Sequence, residues 1–207
     1  MTQHRLMARI KSVTPLHTGF LKVNHYRFEV ERHAGGTWEL TWELMERGNA
    51  VGVLGYDPAR DEVVLANEFR PGALAEGDYP FTDNLVAGAI DAGESVIDAA
   101  RREMKEEANM DLIDARPIHP GAYVSSGGTS EKISIVLGIV DSTRAGGIHG
   151  KPGEHEDIRV VVQPAVEFID RVRRAQITDL KTLVAGYWLA ENRDRLRNEW
   201  AARVSAK

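Results

Sequence analysis

The sequence predicts an α/β (α+β) protein that opens with an antiparallel β region. Three observations predict it. The first half is dominated by short runs rich in aromatic and β-branched residues, separated by Gly, Pro and Asp turns. One segment, 95–109, has helical periodicity with start and stop signals. The C-terminal 40 residues carry apolar residues at helical spacing with no turn signal of their own.

In order along the chain, strands are expected at Phe20–Val23, Tyr26–Val30 and Trp38–Trp42, with Ala34-Gly35-Gly36 turning between the last two. Ala50–Tyr56 reads as a buried strand. Asp57–Asp61 is a turn, and Glu62–Ala66 returns as the second arm of a hairpin. Residues 71–83 hold two Pro, two Gly and several acids and read as a loop before a short strand at Asn84–Ala87. Ser95-x-x-Asp98 fits a capping box. From there Val96, Ile97, Ala100, Met104 and Ala108 share one helical stripe, with Glu103 and Glu107 at or inside its edge. Asn109 ends the helix, because Asn tolerates the left-handed stop conformation after Gly. Ile133–Val140 and Ile158–Val162 are the clearest later strands, separated by a charged, Gly-rich loop at 141–157. Ala165–Arg174 and Leu180 to about Arg203 are helices. The plausible boundary is near Gly48, giving an N-terminal β domain (1–48) and a second domain (49–207).

The chain has 207 residues, a net charge of −5 and no cysteine. The negative charge argues against a nucleic-acid surface. The missing cysteines exclude disulfides and thiolate metal sites, and are compatible with a reducing cytoplasm. No secretory leader pattern opens the chain, and no run approaches the ~20 apolar residues of a membrane span.

The chemistry concentrates at residues 88–110, GAIDAGESVIDAARREMKEEANM. Glu103, Glu106 and Glu107 fall on neighbouring turns of one helix. Such carboxylates collect divalent cations, which serve phosphate chemistry. An ordinary acidic helix would instead set its Glu against Arg101, Arg102 or Lys105 in solvent. A carboxylate at the margin of an apolar face is costly unless a cation meets it.

This stretch resembles the Nudix box, G-x5-E-x7-R-E-U-x-E-E-x-G-U with U apolar. Gly88, Glu94, Arg102, Glu103, Met104, Glu106, Glu107 and Met110 match, and Asn109 stands where the pattern has Gly. Similarity extends to the ADP-ribose pyrophosphatase branch through Arg47-Gly48, Asn67-Glu68-Phe69-Arg70, Ser126–Glu131, Glu154–Arg159 and Leu196–Trp200. Many members carry Glu-x-Pro-Ala-Gly before the box, where this chain has Asn84-Leu85-Val86-Ala87-Gly88. The resemblance implies a Nudix α/β/α sandwich with a mixed central sheet, plus an N-terminal antiparallel β domain used in a homodimer that completes the substrate pocket.

The resemblance also implies roles. Glu103, Glu107, Glu156 and the backbone carbonyl of Ala87 are expected as ligands of Mg²⁺, with Mn²⁺ a possible substitute. Glu154 is expected as general base, Glu106 as a metal or supporting acid, and Glu94 with Arg102 as the ion pair holding the loop on the helix. Arg70 is expected on the pyrophosphate, and Glu131 and Arg47 on the rest of the substrate. The expected activity is Mg²⁺-dependent hydrolysis of ADP-ribose to AMP and ribose 5-phosphate in the cytoplasm, with neither nucleic acid nor membrane as partner. A GDP-mannose or other nucleotide-sugar hydrolase, and a non-cleaving ADP-ribose sensor, remain alternatives.

Overall fold

A computed structural model describes residues 5–151, 153 and 155–206. The chain divides into two compact units. One comprises the residues up to Gly48 together with Tyr123–Lys132, the other Asn49–Ala122 together with Ile133 onwards. The segment 123–132, which the sequence reading places in the second domain, thus groups with the N-terminal strands.

The first unit is a three-stranded antiparallel sheet of β1 (Ala8–Thr18), β2 (Lys22–Glu31) and β3 (Thr37–Glu46). The expected strand at 26–30 lies within β2, whereas of the one at 20–23 only Lys22 and Val23 are in β2, Phe20 and Leu21 standing in the bend before it; β1 has no counterpart in the sequence reading. Cross-strand partners share a sheet face. The pairs Val13↔Tyr26, Ile10↔Phe28, Tyr26↔Trp42, Phe28↔Leu40 and Val30↔Trp38 therefore collect one apolar face. Tyr26 and Phe28 stack at 5.6 Å. Segment 123–132 is pinned to β3. Met45 N–H donates to the Gly128 carbonyl at 2.9 Å, Thr129 Oγ1 to the Met45 carbonyl at 2.9 Å and Trp42 Nε1 to the Gly127 carbonyl at 2.7 Å.

The second unit holds β4 (Ala50–Asp57), β5 (Glu62–Phe69), a short helix α1 (Pro71–Ala75), β6 (Phe81–Asn84), β7 (Val86–Ala89) and α2 (Val96–Ala108). It continues through β8 (Asp114–Tyr123), β9 (Lys132–Ile139), β10 (Ile148–His149), β11 (Ile158–Pro164), α3 (Ala165–Arg173) and α4 (Leu180–Ser205). Its sheet runs β10-β11-β5-β4-β9-β8, with β9 parallel to β4 and β11 antiparallel to β5, so it is mixed. β8 carries Pro117, Pro120 and Gly121, residues that read as turns in isolation. The expected 71–83 loop contains α1 and the start of β6.

Alternation along the strands builds two cores. Val51, Val53, Val64, Ala66 and Val136 pack with Ala100, Met104 and Ala108 of α2. Leu54, Tyr56, Val63, Leu65 and Leu137 pack with Phe168 of α3 and Leu189 of α4. The layers are therefore α2, sheet, then α3 with α4. No helix among the described residues is long and apolar enough to cross a membrane.

One irregularity of the sheet positions the site. β4 and β5 pair only at Gly55↔Val64, Tyr56↔Val63 and Asp57↔Glu62. Beyond that point β4 takes β7 as its partner and β5 takes β6. The corner between β6 and β7 is fixed by Leu85, whose N–H donates to Thr182 Oγ1 at 2.9 Å. The sheet thus opens beside α2, with β7 on one side of the opening and the end of β5 on the other.

α2 begins and ends as its sequence demands. Ser95 Oγ accepts from Asp98 N–H at 3.1 Å. Asn109 stands in the left-handed region at φ 50, ψ 35, with its N–H on the Lys105 carbonyl at 3.1 Å. Replacing Asn109 by Gly is expected to leave the fold intact and to stabilise it by a few tenths to about 1 kcal/mol, since Gly enters this conformation without a Cβ penalty. Denaturant unfolding of the variant checks it; a clear loss of stability would give the Asn109 side chain a role of its own.

Candidate active site

The site starts from α2 and β7. Glu103 and Glu107, four residues apart and hence neighbours on the helix, are 7% and 4% exposed. They lie within the buried face of α2 beside Met104 and Ala108. Gly88 on β7 makes room for them. A Cβ at Gly88 would sit 2.0 Å from Glu103 Oε1, so a side chain there would displace the carboxylate. The neighbouring Ala87 N–H donates to Glu107 Oε2 at 3.1 Å.

Arg102 ties this helix to the preceding loop. Its Nε and Nη2 form a two-pronged contact with Glu94 at 2.9 Å each, and Nη2 also reaches the Ala89 carbonyl at 2.8 Å. Nη1 meets Glu103 Oε1 at 2.6 Å and Glu106 Oε2 at 3.2 Å. One guanidinium therefore serves three box carboxylates and one backbone carbonyl, which its fixed fork of donors permits. The Arg102 hydrogen bonds hold the Glu94 carboxyl down to about 2. Glu106 is half-exposed and also pairs with Lys151 Nζ at 2.9 Å, which lowers its pKa.

The two buried acids shift the other way from Glu94 and Glu106. Burial raises the pKa of Glu103 despite its Arg102 contact. Burial, and then the charge of Glu68, push Glu107 up to about 8. Among the described residues Glu107 has the Ala87 N–H as its partner and no cation. Glu156 adds to the same field: its charge raises both Glu107 and Glu68, while its Oε2 accepts from Lys151 N–H at 3.0 Å.

The other expected site residues are placed as follows. Arg70, at the end of β5, pairs with Glu68. Arg47 and Glu131 meet within the first unit, Nε to Oε1 at 3.5 Å, with Glu131 buried. Glu154 lies outside the described residues. Glu68 is the residue that sequence reasoning missed. Its signal was the two-residue period of β5, which puts Glu68 on the same face as Val64 and Ala66 and so toward α2.

Among the described residues no three His, Asp or Glu side chains converge tightly enough to enclose a cation. Glu103 is turned onto Arg102 and Glu107 onto the Ala87 amide. The donor set nevertheless suits a hard divalent ion. It offers carboxylate oxygens beside a backbone strand, and among the described residues Glu107 has no ion-pair partner.

Residues 46–180 match the NUDIX domain. The chain belongs to the Nudix family. It is 41% identical over 187 residues to the ADP-ribose pyrophosphatase of Escherichia coli, covering 90% of this chain and 89% of that protein. The ADP-ribose pyrophosphatase of Haemophilus influenzae is 32% identical over 189 residues, 89% of this chain and 87% of its own. A GDP-mannose pyrophosphatase of Salmonella typhimurium is more distant, at 26% over 82% of this chain and 87% of its own. A solved structure titled as an ADP compounds hydrolase superposes with a TM-score of 0.69 at 21% identity, covering 92% of this chain and 98% of its own, and shares the fold.

Burial of Glu107 has a consequence for stability. Its folded pKa, about 8, lies above its ordinary 4.5, so between those values the folded chain holds a proton that the unfolded chain has lost. The contribution of Glu107 to metal-free stability is therefore most favourable below that window and declines as pH rises through it. Glu107→Gln is expected to lose this decline and to exceed the parent by about 1 to 3 kcal/mol above the window. Denaturant unfolding of both proteins in chelator, from pH 5 to 9, checks this; parallel pH profiles would contradict it.

Proposed function

We propose that this Nudix enzyme hydrolyses the pyrophosphate bond of ADP-ribose, giving AMP and ribose 5-phosphate, and depends on Mg²⁺ or Mn²⁺. The observation that carries the reading is the buried Glu103–Glu107 pair over Gly88. Two acids inside an apolar helix face are unfavourable in a merely structural role and useful as a cation seat. The two ADP-ribose pyrophosphatase relatives support the substrate, and both are closer than the GDP-mannose pyrophosphatase.

Glu103, Glu107, Glu156 and the Ala87 carbonyl are the residues that would hold the cation. When bound, it neutralises diphosphate charge and acidifies water. Glu94 and Arg102 keep the loop after β7 on the helix, and Glu106 balances the charge of Arg102 and Lys151. Arg70 offers a planar guanidinium for a two-pronged phosphate contact. Glu131 and Arg47 would recognise the remainder of the ligand, and Glu154 would take the proton from the attacking water. A cytoplasmic location belongs to the same reading and agrees with the cysteine-free composition.

AMP release from a panel of nucleotide sugars tests the proposal. ADP-ribose is expected to be the best substrate, with activity lost in excess EDTA. Glu107→Gln is expected to lose two or more orders of magnitude in turnover. Glu154→Gln is expected to lose turnover while ADP-ribose affinity stays within a few-fold, because a base acting on water contributes in the transition state. Full turnover in EDTA, or a loss below threefold in Glu107→Gln, would sink the metal-based reading.

The same proposal includes a homodimer. The collected face of the N-terminal sheet leaves Ile10 59%, Trp38 54% and Trp42 51% exposed. A contiguous apolar face of this kind is a surface that a partner covers. A second copy through β1–β3 is the occupant that the family resemblance favours. Sedimentation at working concentration is expected to give a dimer that Trp42→Glu weakens; a parent that sediments as a monomer would contradict it.

A further inference from the structure

Glu68 lies outside the Nudix pattern, yet it stands in the site. The period of β5 puts it on the α2 side of the sheet, with Glu103 and Glu107. Its side chain is 15% exposed, and among the described residues its ion-pair partner is Arg70, with Lys181 a further cation acting on it. The register Ala66↔Asn84 makes Asn84 its diagonal neighbour on the same face. Asn84 is fully buried and neutral, and it spends its amide on the Thr82 carbonyl at 3.0 Å and Thr82 Oγ1 at 3.1 Å. On this side of the sheet opening the acid is therefore Glu68. It sits on the rigid end of a central strand, while Glu103 and Glu107 come from the facing helix.

We propose that Glu68 is a further carboxylate of the divalent-cation site, and that it exchanges between Arg70 and the cation, so that metal loading releases Arg70 for the diphosphate. The proposal rests on the Mg²⁺ reading given above. A buried carboxylate held by a single guanidinium leaves oxygen lone pairs over for a second cation. A divalent ion between the strand and helix acids would outcompete the single charge of Arg70. Arg70 is 35% exposed and free to swing outward once released. The field at the site agrees with this placement, since the Glu68 charge is the foremost charge acting against ionised Glu107.

The experiment is Mn²⁺ binding without substrate, read from the free-ion EPR signal, on the parent, Glu68→Gln, Glu68→Asp, Arg70→Met and Glu107→Gln, each checked by thermal unfolding. Glu68→Gln is expected to weaken Mn²⁺ binding tenfold or more, with Glu68→Asp between it and the parent. Arg70→Met is expected to bind Mn²⁺ at least as tightly as the parent, because the competitor is gone. In EDTA, where turnover is absent, Glu68→Gln is expected to bind ADP-ribose more tightly than the parent. Mn²⁺ affinity of Glu68→Gln within twofold of the parent would overturn the proposal. So would an Arg70→Met variant weakened as much as Glu68→Gln, which would make the pair purely structural. If Glu107→Gln loses Mn²⁺ while Glu68→Gln keeps it, only the role of Glu68 fails. If Glu107→Gln also keeps it, the metal reading fails and this proposal with it.

Discussion

The structure around the site depends on one constraint: two carboxylates, Glu103 and Glu107, occupy an otherwise apolar helix face. Both are largely buried, and burial raises the pKa of both. Everything nearby can be understood as accommodating them. Gly88 lacks a side chain because Glu103 fills that volume. Ala87 turns an N–H toward Glu107. Arg102 anchors Glu103 from the rim while spending its stronger, two-pronged contact on Glu94. The opening of the sheet between β4 and β5 is what brings a strand edge, rather than another layer of Val and Ile, up to these acids.

The constraint also explains how tightly the second unit is braced away from the site. Tyr56 donates to Asp61 at 2.8 Å, and Arg193 of α4 grips the same carboxylate, which lowers its pKa. Asp179 caps α4 through Thr182 N–H at 2.9 Å, and Thr182 Oγ1 in turn holds Leu85 at the β6–β7 corner. α4 therefore fixes both the hairpin that joins β4 to β5 and the corner where they part. A site set by a helix and two strands gains from such bracing, because side chains on rigid elements hold their positions better than side chains on loops.

Much of this was legible in the sequence because it is local. The stripe of α2, its Ser95 cap and its Asn109 stop follow from neighbours within four residues, and the structure agrees at each. β4, β5 and β9 are buried on both faces and read as near-continuous apolar runs. The illegible parts are those decided over long range. β1 is exposed along its whole length and is held by its pairing with β2, so no burial pattern marks it. β8 contains two prolines. Segment 123–132 joins the first unit through bonds to residues some 80 positions away, which no window of sequence reveals.

Glu68 shows why the site itself was only partly legible. The box spacing finds the helix acids because they share a period and a neighbourhood. Glu68 is 35 positions before Glu103 in the chain and follows a different period, that of a strand. Read alone, it is one more charged residue after an apolar run, at the place where a strand should emerge into solvent. Only the register of β5 with β6, and the departure of β5 from β4, keep that position inside the protein. A carboxylate kept inside by topology, rather than by its own neighbours, carries a desolvation cost that no local window of sequence announces.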